Sequence, residues 1–228
     1  MLLTSFPAGP LQANCYVFSG DDTHAVVVDP GVNAAEGVRQ IVADRGLTVD
    51  AVLLTHGHPD HVGAAADVAD HYGVPAYLHA ADRSMFDPST LMPWAVEIIE
   101  RFGVNHTEPA DLRLLAGGET VEAGGVTFTT EHAPGHTQGC LLWRTPLPQP
   151  FAQAPELTEL VFTGDVVFAG AIGRTDLPGG DHATMLATLA RVVLALPDSA
   201  VLLPGHGPET TMARERATNP YLQADYLR

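Results

Sequence analysis

Short apolar stretches broken by glycine and polar turns run through the whole chain, and their period switches between strand-like and helix-like spacing. Asn14–Ser19 and His24–Asp29 read as two strands around the polar turn Gly20-Asp21-Asp22. Val32–Arg45 reads as a helix with apolar positions Val38, Ile41 and Val42. Gly46 ends it, because glycine suits the left-handed position after a helix. Asp50–Thr55 is a short apolar strand that runs straight into Thr55-His56-Gly57-His58-Pro59-Asp60-His61. An Ala-rich helix is predicted over His61–Tyr72, stopped by Gly73, with a strand at Pro75–His79. Pro88, Pro93 and Pro109 interrupt residues 81–110, which hold one helical stretch near Trp94–Phe102 and read as a lid or a crossing segment.

Strand signals restart in the second half. Glu119–Glu122 and Val126–Glu131 flank Gly124-Gly125, a hairpin signal. Gly139–Thr145, Glu159–Thr163 and Ala200–Leu203 are further strands, and the proline-rich residues 146–156 are an exposed loop. A helix is predicted over His182–Leu196, with Asp181 as its cap. Strands thus come in two batches, each followed by helices. The pattern gives an α/β class with mixed sheets, read as one domain over residues 1–228.

Charge narrows the range of partners. The formal net charge is −16, which argues against nucleic acid and against anionic membrane surfaces. All 11 basic residues are Arg, so a lysine Schiff base is excluded. No apolar run is long enough to cross a bilayer, and the N-terminus lacks a basic region followed by a long apolar one. The reading is a cytoplasmic protein with no membrane partner; no pattern fixes an oligomeric state. Cys15 and Cys140 make no disulfide framework and read as small buried apolar residues.

The chemistry concentrates at residues 56–61. Three His and one Asp lie within six residues at the end of an apolar strand. Neutral imidazole and carboxylate are ordinary ligands of Zn²⁺ and other divalent first-row metals. His56 and His58 can grip one ion as an i, i+2 pair, while Asp60 and His61, past the turn, face a second. A lone His is usually structural, but a cluster this dense is hard to explain without a cation. His136, Asp165 and His206 each stand beside a glycine at a strand end, where sites gather in α/β folds. Together these residues complete an inventory for two metals.

Thr55–His61, His136, Asp165 and His206 resemble the metallo-β-lactamase superfamily in residue type and chain order. The resemblance implies a four-layer αββα sandwich of two mixed β-sheets. It implies that His56, His58 and His136 bind a first metal, that Asp60, His61 and His206 bind a second, and that Asp165 bridges both. Asp29, in Val28-Asp29-Pro30-Gly31, matches the family's early Asp, which supports the ligands from behind together with Thr55. The runs Thr163–Gly170, Gly173–Gly180 and Pro204–Thr211 are similar to short bacterial glyoxalase II-like hydrolases. That resemblance implies thioester hydrolysis of a small molecule such as S-lactoylglutathione, by a metal-bridging hydroxide held by Asp60 and Asp165. The cofactor is two divalent ions, zinc first, with iron or manganese as alternatives. Arg174 is the candidate for a substrate carboxylate, set against a salt bridge to Asp176. The rival readings are a mononuclear iron persulfide dioxygenase on His56, His136 and Asp165, and a lactonase.

Overall fold

The structure, a computed structural model, describes residues 1–227. Its centre is two six-stranded sheets. The first runs in chain order through β1 (Leu2–Ala8), β2 (Ala13–Ser19), β3 (His24–Val28), β4 (Thr48–Leu53), β5 (Ala76–His79) and β6 (Leu112–Leu115). The second is built from β7 (Thr120–Ala123), β8 (Val126–His132), β9 (Leu141–Pro146) and β10 (Glu159–Gly164). After a small hairpin, β11 (Val167–Phe168) and β12 (Ala171–Ile172), it is completed by β13 (Ala200–Pro204) and β14 (Thr210–Thr211). The helices are α1 (Ala34–Arg45), α2 (Pro59–Val62), α3 (Ala65–Tyr72), α4 (Pro93–Phe102), α5 (His182–Arg191) and α6 (Met212–Thr218). Among the described residues no helix is long and apolar enough to cross a membrane.

Three separate apolar cores explain the layering. Val17, Val27 and Val52 pack with Val38, Val42 and Val68 of α1 and α3. Their neighbours Phe18, Val26 and Leu53 turn the other way, onto Phe128, Trp143, Phe162 and Leu203 of the second sheet. Val161 and Leu202, beside Phe162 and Leu203, meet Met185, Leu189 and Met212 of α5 and α6. Three cores separate four layers, the αββα order. Both faces of the central strands are covered, so they read as continuous apolar runs rather than alternating ones. Each Val or Leu buried this way contributes roughly 1.5–3 kcal/mol.

Topology puts the ligand loops at one rim. β3 and β4 are parallel neighbours, and Asp29 and the His56 loop follow their C-terminal ends. β10 and β13 are also parallel neighbours, and Asp165 and His206 follow theirs. Trp143 Nε1 donates to Leu54 O at 3.0 Å and Leu141 N to Thr55 O at 2.8 Å, tying the second sheet to the strand that enters the His cluster.

Two helix expectations are revised, and two edge strands are added. The helix over His61–Tyr72 is two pieces, because the Ala64 N–H is diverted to Pro30 O at 2.8 Å and the helical ladder breaks there. The helix over His182–Leu196 ends at Arg191, and a 3-10 turn at Val193–Ala195 finishes it. β1 and β6, each at an outer edge of the first sheet, carry no clean alternation to reveal them; Pro7 is tolerated in β1 because an edge strand need not donate on its outer side. Residues 81–110 form the crossover between the parallel strands β5 and β6, and α4 within it overhangs the site.

Candidate metal centre

Three buried or half-buried groups of donors adjoin one another at this rim. The ligand atoms of His56, His58 and His136 lie within 4.8 Å of one another, as do those of Asp60, His61 and His206. Asp29, His56 and His61 form a third such group, but both Asp29 oxygens are already taken. Oδ1 accepts from Thr55 N at 2.8 Å. Oδ2 accepts from Thr55 Oγ1 at 2.6 Å and lies 3.0 Å from His61 Nδ1. Asp29 is therefore an orienting group.

That anchoring sets which ring nitrogens face the site. A proton on His61 Nδ1, held by Asp29, leaves Nε2 aimed inward. His136 Nδ1 donates to Arg174 O at 2.8 Å, so its Nε2 also faces inward. His58 Nδ1 lies 3.1 Å from His56 Nε2 and 2.9 Å from His136 Nε2. Donors about 2.0–2.1 Å from a tetrahedral zinc stand roughly 3.3–3.4 Å apart, close to this spacing. Burial, reinforced by neighbouring His136, pushes the His58 pKa down to about 3, and burial holds His56 low as well. These imidazoles are neutral, with lone pairs available.

Asp165 stands between the triads. Its Oδ1 is 3.4 Å from His61 Nε2, and its Oδ2 is 3.6 Å from both His136 Nε2 and His206 Nε2. Asp60 Oδ2 is 3.2 Å from His206 Nε2 and 3.5 Å from His61 Nε2. Among the described residues His61 Nε2 and Asp165 Oδ1 are buried without a hydrogen-bond partner, which is costly unless something else meets them. Burial pulls the His61 pKa down, yet the carboxylates of Asp60 and Asp165 override it and raise it to about 10. The pocket is thus built for positive charge, and a divalent cation among N and O donors fits both orphaned atoms. Gly205 leaves the room required: a Cβ there would collide with Asp165 Oδ1 and His61 Cε1.

Arg174 is at the rim of the adjoining cavity of about 400 Å³, which Leu11, Trp94, Phe168 and Leu177 also line. Its guanidinium forks onto Asp176 at 2.7 and 2.8 Å, with both side chains exposed. Its backbone carbonyl is what holds His136. Cys15 and Cys140 are buried and unpaired, and burial keeps both thiols protonated.

Several supporting residues gave no sign in the sequence. Asp82 is fully buried in the 3-10 stretch Ala80–Phe86. Its Oδ2 accepts from Gly57 N at 3.0 Å and Thr137 Oγ1 at 2.6 Å, and its Oδ1 from Gly139 N at 2.7 Å. One carboxylate thereby joins the loop of His56 and His58 to that of His136. Asn14 Nδ2 donates to Pro204 O and Gly207 O, and Tyr16 OH to Pro204 O, fixing the His206 loop. The buried Glu215 accepts from Gly170 N at 2.7 Å and from Asn219 Nδ2 at 2.9 Å, which secures the hairpin after Asp165. These polar residues are scattered in sequence, and only the contacts mark them out.

Asp82→Ala is expected to cost about 3–5 kcal/mol, since three buried donors lose their acceptor at roughly 1–3 kcal/mol each and water recovers part. Metal affinity should fall about 10–100-fold, as for the loss of a group that holds a ligand in place. Denaturant unfolding and a metal titration would check the two figures, and an unchanged affinity would show that Asp82 does not hold the ligand loops.

A triad of three His adjoins a triad of one Asp and two His at the rim of an αββα sandwich, and the match to metallo-hydrolases over nearly the whole chain makes the class that of metal-dependent hydrolases. Residues 8–206 match the metallo-beta-lactamase superfamily, and the chain belongs to it. An uncharacterised protein of Mycobacterium tuberculosis is 42% identical over 227 residues, covering 98% of each chain. The hydroxyacylglutathione hydrolase GloC of Haemophilus influenzae is 34% identical over 227 residues, covering 98% of this chain and 99% of its own. Among solved structures, the BLEG-1 B3 metallo-beta-lactamase superposes with a TM-score of 0.82 at 37% identity, covering 98% of this chain and 100% of that one. TTHA1623 in a di-iron-bound form gives 0.75 at 33% identity, covering 97% and 100%.

Proposed function

We propose that the chain is a thioesterase that hydrolyses an S-acyl conjugate of a small thiol, using two divalent ions with zinc as the first choice. The observation that carries this reading is the pair of triads with Asp165 facing both. His56, His58 and His136 would hold one ion, Asp60, His61 and His206 the other, and Asp165 would contact both. When bound, the ions supply Lewis acidity and a water that ionises near neutral pH.

The chain's own residues do the rest. Asp60 and Asp165 put carboxylate oxygens where a proton from the attacking water can be held. Asp29 and Thr55 keep His61 and His56 in the tautomers that face inward. Leu11, Trp94, Phe168 and Leu177 give the cavity apolar walls beside the centre. Arg174 meets a substrate carboxylate at the rim. Its pair with Asp176 is exposed and screened by solvent, so a carboxylate can displace it. Resemblance to a named hydroxyacylglutathione hydrolase over nearly the whole chain supports the thioester class.

The B3 metallo-beta-lactamase likeness supports acyl hydrolysis more broadly, so a β-lactam and a lactone belong in the same assay. An iron oxygenase needs only two His and one carboxylate with open positions, and the second triad favours hydrolysis over it. Elemental analysis of the purified protein, paired with S-lactoylglutathione turnover, tests the reading. About two metals per chain with turnover is the expected result. About one iron per chain, with oxygen uptake on a persulfide and no thioester hydrolysis, would replace it.

A further inference from the structure

A second, smaller cavity continues from the main one. Its volume is about 30 Å³, and His58, Trp94 and Leu177 line both spaces. Met85, Leu91, Met92 and Ala95 form much of its remaining wall. A water needs roughly 10–15 Å³ and two to four polar partners. Here the space is sufficient, and most of the wall is apolar. The hydroxyl of Thr90, which also lines it, is spent on Ser84 O at 2.8 Å and Asp87 O at 2.9 Å. His58 Nδ1 is turned toward His56 and His136, which leaves Nε2 as the ring nitrogen available beside the chamber. The chamber is walled mostly by apolar side chains and has room for one or two carbon atoms, and it lies beside a residue of the candidate centre.

We propose that this chamber is an acyl subsite that selects substrates whose acyl group ends in a short aliphatic tail. The inference rests on the thioesterase reading and specifies its substrate class. Because the chamber adjoins His58, whatever enters it must lie within a few bonds of the reacting carbonyl; Arg174 lines only the main cavity, which takes the carboxylate-bearing thiol and leaves the chamber to the acyl tail. The limited volume sets an upper length. The residues from Leu91 to Ala95, at the start of α4 in the crossover segment, thus set acyl specificity without touching the reacting atoms.

The test uses the metal-loaded protein and a series of straight-chain acyl thioesters of N-acetylcysteamine, from acetyl to octanoyl. Expected is a kcat/KM that rises about fourfold per methylene while the tail fills the chamber and falls once it is full. Leu91→Ala should move the optimum up by one or two carbons, and Ala95→Val should move it down. Turnover with no length preference, or a preference that neither variant moves, would overturn the subsite. A second readout separates it from the thioesterase reading. Trp94 is one of two tryptophans in the chain, and Trp143 is buried in the core. Non-hydrolysable analogues, with a methylene between carbonyl and sulfur, should perturb Trp94 fluorescence with the same length optimum, and Trp94→Phe should abolish the signal. Length-dependent binding without any turnover would retain the subsite and reject the thioesterase. Binding of analogues with no length dependence would reject the subsite.

Discussion

Asp165→Ala is expected to lose most bound metal and more than about 100-fold in turnover, exceeding what the loss of a group behind a ligand costs. Asp165 faces His136 of the first triad and both His61 and His206 of the second. Removing it strips a donor from both. The fold should survive, because Asp165 Oδ1 makes no hydrogen bond within the described protein whose loss would count against folding. Circular dichroism and elemental analysis on the same sample provide the check. Near-normal metal content and turnover in a folded variant would rule out Asp165 as the shared ligand.

Metal removal is expected to lower the melting temperature by roughly 8–16 °C. A ligand present at about 1,000 times its Kd stabilises by about 4 kcal/mol, and a domain of this size moves about 2–4 °C per kcal/mol. The physical cause is the concentration of buried acids at one rim, where Asp29, Asp60 and Asp165 all lie close to His61. Stripping with a strong chelator, with loss confirmed by elemental analysis, followed by a thermal scan and re-addition of zinc, is the measurement. An unchanged melting temperature after confirmed loss would mean that the triads do not bind the metal that was removed.

The sequence made the ligand inventory legible because its members are chemically rare and sit at strand ends next to glycine. The dense run from His56 to His61 needs no structure to stand out. The strands of the two sheets were legible for a different reason: burial on both faces makes them short, unbroken apolar runs. The outer strands β1 and β6 of the first sheet gave no such signal, whereas the edge strand β7 was marked by the Gly124-Gly125 hairpin turn. The break between α2 and α3 depends on one long-range hydrogen bond from Ala64 to Pro30, which no local pattern encodes. Asp82, Asn14 and Glu215 were illegible for the same reason, since an isolated polar residue reads as surface until its buried partners are seen. Arg174 was legible as a cation but not as the backbone carbonyl that fixes His136.

Each triad draws its donors from both sheets: His56 and His58 with His136, and Asp60 and His61 with His206. The centre is a seam between two half-molecules, and neither half holds a complete chelate. Cutting the chain at Gly117-Gly118, between β6 and β7, would leave two fragments that each keep one sheet and part of each ligand set. Metal would then act as a clasp for reassembly, and the strength of fragment pairing would report the avidity of the ions for the joined site.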